Sequence, residues 1–111
     1  MKIKIIQIAN NNGKWIGISP NNAPIIKDRG YIETSKFDAQ KCWDICNWYG
    51  SDEKPKELHS TLDACCTDVA FYNPETGIWW IADSIGFKQS DNREDAVKKL
   101  KEIAKKYYGS I

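Results

Sequence analysis

The chain has 111 residues, enough for one domain with a modest core that needs no staples. Apolar residues make up 41% and charged residues 28%, with five Trp, five Tyr and three Phe, the profile of a globular domain with an aromatic-rich core. A formal net charge of +1 excludes a global electrostatic drive toward nucleic acid or anionic membrane, and no apolar run approaches the roughly 18 residues of a membrane span.

The N-terminal stretch "MKIKIIQIANNNG" has too short an apolar run for a signal peptide, and polar residues follow at once. A cytoplasmic protein is therefore expected, with its four Cys as thiols. The abundance of Ile, Lys and Asn points, as composition, to an AT-rich bacterial or phage genome.

In chain order, "KIKIIQIA", the turn "NNNG" and "KWIGIS" predict a β-hairpin. A long loop over 20–29 follows, then a short strand beginning at Gly30. The first helix is expected to start from Ser35 as its cap. Its inner stripe is Cys42, Ile45, Cys46 and Tyr49, with Ala39 beside it and Trp43 and Trp48 on opposite flanks.

Residues 51–66 form an acidic connecting segment. Pro55 marks a break in it, and 57–66 predict a short third helix carrying Leu58, Leu62 and Cys65. "DVAFY", "NPETG" and "IWWIAD" then predict a second hairpin, and Gly86 opens a second short strand. The last helix is expected to start from Asp91 with Glu94 three residues on, a capping-box-like pair. Ala96, Val97, Leu100, Ile103, Ala104 and Tyr107 form its apolar stripe, and Gly109 ends it.

The two halves align. Ile5, Ile8, Gly13 and Trp15 stand against Val69, Tyr72, Gly77 and Trp79, and then Gly30, Tyr31, Ser35 and Asp38 against Gly86, Phe87, Asp91 and Glu94. The pattern predicts a single α+β domain over 1–111. Its antiparallel sheet is built from two β-hairpin–short strand–helix units, 1–50 and 67–111, an internal duplication joined by 51–66.

Trp79 and Trp80 raise the main question about function. Adjacent strand residues point to opposite faces, so something must cover each. By the alignment, Ile6, Ile8, Ile16 and Ile18 share a face with Ala70, Tyr72, Trp80 and Ala82. Ile5, Gln7 and Trp15 share the other with Val69, Phe71, Trp79 and Ile81. Neither face reads as polar, and a sheet wetted on one side should alternate. Two helices do not obviously blanket both sides. Segments 20–29 and 51–66 folding back, or a second chain, would complete the cover, and a homodimer is one such arrangement. The expected binding face is Trp15, Phe71, Trp79 and Ile81.

Other chemistry is less well supplied. Cys42, Cys46, His59 and Cys65 are the residues from which a Cys₃His zinc site would be drawn, but Cys42 and Cys46 lie on an apolar helix stripe rather than in a knuckle. A Cys–His nucleophilic pair has no orienting motif around it, and none of the seven Gly forms a phosphate loop. Lys98, Lys101 and Lys105 with exposed aromatics offer an alternative nucleic-acid surface, against which stand interleaved acids and a pI near 7.6.

No cofactor and no enzymatic activity are expected. The expectation is a binding module acting by protein contact, through residue types that carry interface energy. Antitoxins, immunity proteins and phage-encoded inhibitors of host enzymes have this make-up. "GIWWIADSIGFKQSDNREDAVKKLKEIA", about a quarter of the chain, resembles with two gaps the strand–strand–helix unit of HicB-type antitoxins. No residue roles carry over from so short a likeness.

Overall fold

The structure, a computed structural model, describes residues 1–9, 25–48, 53–60 and 68–108, with side chains undescribed at 9 and 105–108. Among these residues the chain is α+β: six antiparallel strands in one sheet, and two helices. The strands are β1 (Lys2–Ala9), β2 (Ile25–Glu33), β3 (Leu58–Ser60), β4 (Val69–Asn73), β5 (Ile78–Asp83) and β6 (Gly86–Ser90). Helix α1 is Ala39–Cys46 and α2 is Arg93–Tyr108. The sheet order is β3-β2-β1-β4-β5-β6. No helix among the described residues is long and apolar enough to cross a membrane.

Each face of the sheet has one helix. On the first face Ile3, Ile5, Ile32, Leu58, Val69, Phe71 and Ala82 form a core with Cys42 and Cys46 of α1. On the second, Ile6, Ile8, Ala70, Trp79 and Ile81 pack against Ala96, Leu100, Ile103 and Ala104 of α2. Among the described residues the two helices take opposite faces, and the outer end of the second face, beyond α2, is polar. Residues 20–24, 51–52 and 61–66 of the segments expected to complete the cover lie outside the described residues. Lys2, Lys4, Glu33 and His59 are exposed there, with Tyr31 half-buried. The alternation Lys2-Ile3-Lys4-Ile5 is thus that of a strand wetted on one side.

The assignment of faces in the second hairpin is also corrected. Four residues, 74–77, lie between Asn73 and its partner Ile78, so Phe71 pairs with Trp80 and Tyr72 with Trp79. Directly paired residues share a face, and a shift of one residue moves every side chain to the other. Trp79 and Ile81 therefore join Ala70 and Tyr72, while Trp80 joins Phe71.

The N-terminal half departs further. The partner of β1 is β2, running from Ile8↔Ile26 to Lys2↔Glu33, so residues 25–29 of the expected loop are strand. Residues 14–19, expected as that partner, lie outside the described residues. A bulge falls between Ile5↔Gly30 and Ile6↔Asp28 and leaves Arg29 as the extra residue. Arg29 is buried, and its Nε donates to Gln7 Oε1 at 2.9 Å. Gly30, at φ +97°, follows the bulge where β3 comes close: a Cβ there would lie 2.1 Å from the His59 carbonyl oxygen.

Leu58–Ser60 is a strand rather than part of a third helix; 61–66 lie outside the described residues. The described residues do not reproduce one unit in the other. The short-strand counterpart β2 lies beside β1, whereas β6 is separated from β4 by β5, and the helices sit on opposite faces.

The helix starts shift by a few residues. Asp38, not Ser35, caps α1, its Oδ1 accepting from Lys41 N at 3.1 Å. Asn92, not Asp91, caps α2, accepting from Asp95 N at 2.7 Å. Asp95 in turn accepts from Ser90 Oγ at 2.7 Å and pairs with Lys99. The Lys99 ammonium, and then the Ser90 hydroxyl, hold the Asp95 carboxyl below the usual carboxylate range. This network ties the end of β6 to the first turn of α2 and fixes where the helix begins over the sheet.

Candidate binding cleft

On the second face one row of directly paired residues crosses all six strands. It runs His59, Tyr31, Lys4, Tyr72, Trp79, Ser90. The row passes from exposed His59 to buried Ser90, where α2 begins. Its middle is the floor of a cleft of about 400 Å³. Ile6, Tyr72 and Trp79 form the apolar part, the two rings 4.8 Å apart and tilted by 46°. The sheet side of the cleft presents Lys4 and Asp28. The start of α2 presents Asp91, Asn92 and Arg93.

Each wall thus carries one cation and one carboxylate. All four charged side chains are exposed, and none lies within 4 Å of an opposite charge among the described residues. Asp28 Oδ1 accepts from Gly30 N at 3.0 Å, which holds it beside the bulge.

The outer end of the row is built differently. The rings of Tyr31 and His59 are stacked, 4.8 Å apart at 17°, the spacing of neighbouring strands. Lys2 Nζ lies 4.7 Å from the Tyr31 ring centroid. The two rings therefore stand upright on the sheet. Tyr31 is occupied by His59 and by the ammonium, and offers no flat platform for a nucleobase.

The expected site residues fare unevenly. Phe71 and Ile81 are fully buried and Trp79 is 6% exposed, so these three are core rather than an exposed aromatic face. Phe71 also lies on the side of the sheet away from Trp79 and Ile81. Of that set only Trp79 reaches the cleft, as part of its floor. Trp15 lies outside the described residues.

Cys42 and Cys46 are buried in the first core, while His59 is exposed on the opposite face, so the sheet separates these candidate zinc ligands. Cys65 lies outside the described residues. No group of three metal-ligating side chains occurs among the described residues. Burial, with Cys46 beside it, pushes the Cys42 thiol up to about 12, the opposite of what a ligand or nucleophile needs.

Lys98 and Lys101 are exposed on the outer side of α2. With Val97, Glu94 and Glu102 they line a groove, where the two carboxylates offset a phosphate-binding charge. The side chain of Lys105 is not described.

Sequence reading missed Lys4, Asp28, Asp91 and Arg93 as a set, because they come from three parts of the chain. The one local signal was the Lys2-Ile3-Lys4-Ile5 alternation, which marks Lys4 as facing away from the first core. Comparison with protein-family models, curated proteins and solved structures finds no match to this chain.

Proposed function

We propose that this chain is a non-enzymatic protein-binding module and that the cleft beside the start of α2 is its anchor. One observation carries this reading. Tyr72, Trp79 and Ile6 floor a cleft whose rim holds four charges left unpaired among the described residues, two of each sign. Tyr, Trp and Arg are the side chains that most often anchor protein interfaces. A balanced rim suits a polypeptide, which carries both signs, and disfavours a phosphate backbone, which carries one.

A photo-crosslinking side chain placed in turn at Lys4, at Asp91 and at Lys27, which faces the other side of the sheet, tests the proposal in the cells that make the protein. The expected result is one protein adduct from Lys4 and Asp91 but not from Lys27, lost when Tyr72→Ala is added. Adducts to nucleic acid, or none from either cleft position, would overturn it.

A further inference from the structure

We infer that β6 is a docking edge, separate from the cleft, for an extended segment of another protein that sets a carboxylate opposite Lys88 and an apolar side chain on either side of it. Strand β6 (Gly86–Ser90) ends the sheet, and nothing pairs with its outer side among the described residues. Only Ser84 and Ile85 lie between Asp83 and its partner Gly86, so that pair exchanges both its backbone hydrogen bonds. By alternation Ile81↔Lys88 and Trp79↔Ser90 do the same. Phe87 and Gln89 therefore turn their N–H and C=O groups outward, four hydrogen-bonding groups at the spacing of an incoming strand.

The side chains at this edge select what the segment carries. Phe87 lies on the first face beside Ala82, and Gln89 beside Trp80. Phe87 and Trp80 are half-buried with their rings 6.4 Å apart, and Ile85, at the turn leading into β6, is 97% exposed. Apolar residues opposite Phe87 and Gln89 extend this side. Lys88 stands on the other face, paired with Ile81, its side chain 55% exposed. Asp83 Oδ2 lies 3.8 Å from its Nζ, and an ammonium has donors left for a second carboxylate. A second copy of the chain is the poorer occupant. Two antiparallel β6 strands that pair all four outward groups must be centred on Lys88, which sets the two ammonium groups directly opposite each other.

The probe is the peptide Ac-Thr-Val-Glu-Val-Thr-NH₂, titrated into the isotope-labelled full chain. A second peptide carries Lys in place of Glu, and a third has both Val nitrogens methylated. The Glu peptide is expected to shift the Phe87 and Gln89 amides and slow their hydrogen exchange. The Lys88 amide, already bonded to β5, should keep its protection. The Glu peptide should bind about two- to fivefold tighter than the Lys peptide, the range that one cross-strand charge pair gives. The methylated peptide, which cannot donate to the edge, should not bind.

Lys88→Glu is expected to reverse the order of the first two peptides. Gln89→Pro removes an outward N–H without breaking a bond to β5, and should abolish binding. The spectrum of the free variant shows whether it is folded; if it is not, the methylated peptide carries the same test. No shift at Phe87 and Gln89, equal affinity for the Glu and Lys peptides, or binding of the methylated peptide overturns the inference. So does a free protein with the mass of a dimer by light scattering in which the Phe87 and Gln89 amides already exchange slowly. None of these outcomes bears on the cleft, which crosslinking from Lys4 and Asp91 decides separately.

Discussion

Trp79 and Trp80, neighbours in β5, lie on opposite faces of the sheet, Trp79 in the core and Trp80 half-buried. Trp79 lies under α2 with its ring 4.8 Å from Tyr72, and Trp80 lies on the α1 side, 5.6 Å from Phe37 and 6.4 Å from Phe87. Each substitution to Ala should therefore loosen a different helix. Trp79→Ala, at a site 6% exposed, is expected to cost about 3–5 kcal/mol in urea denaturation. Half-buried Trp80→Ala should cost less, about 1–3 kcal/mol. Amide exchange separates the two: the Trp79 variant should lose protection in α2 and the Trp80 variant in α1. Loss in the same helix for both would contradict the facing described here.

Gly30 is the position where the bulge, a left-handed backbone and a close strand meet. Ala there must adopt φ +97° with its Cβ 2.1 Å from the His59 carbonyl oxygen, so β3 must move away. Gly77, at φ +73°, has only the Tyr72 hydroxyl within 4 Å of its Cβ position, at 3.9 Å. Gly77→Ala should thus show the backbone cost alone, about 1–2 kcal/mol, and Gly30→Ala clearly more. Faster amide exchange in residues 58–60 should accompany Gly30→Ala only. Equal costs for the two would mean that β3 does not approach Gly30 as described.

Cys42 makes stability depend on pH at the alkaline end. Its thiol is raised from 9.0 to about 12, by burial first and then by Cys46. Below pH 9 both folded and unfolded chains keep the proton. Between 9 and about 12 the unfolded chain loses it and the folded chain does not, so the unfolded state gains and stability falls as pH rises through that window. Cys42→Ala should flatten this fall while lowering stability at neutral pH through the cavity it leaves. Native Cys42 should also react with a thiol reagent at pH 8 only at the rate of unfolding. Rapid labelling of the folded protein would show that the thiol is accessible.

What could be read from residue order were the elements whose patterns are local. Strands at 2–9, 69–73, 78–83 and 86–90 and the helix from 93 follow from alternation, turn residues and the apolar stripe through Ala96, Leu100 and Ile103. Those patterns depend on neighbours within a turn or two of chain. Ile25–Arg29 lacked such a mark, since "IIKDR" has no sustained alternation, and three-residue β3 is too short to show a period.

Which face each Trp takes was decided by the four-residue turn at 74–77, because one residue more or less reverses every side chain beyond it. Which helix covers which face, and the meeting of Lys4, Asp28, Asp91 and Arg93 around Tyr72, depend on strand pairing between distant segments. Residue order specified the elements with a sustained local pattern, through short-range periodicity. The cleft exists only because long-range register and the cap at Asn92 set α2 down short of the sheet's polar end.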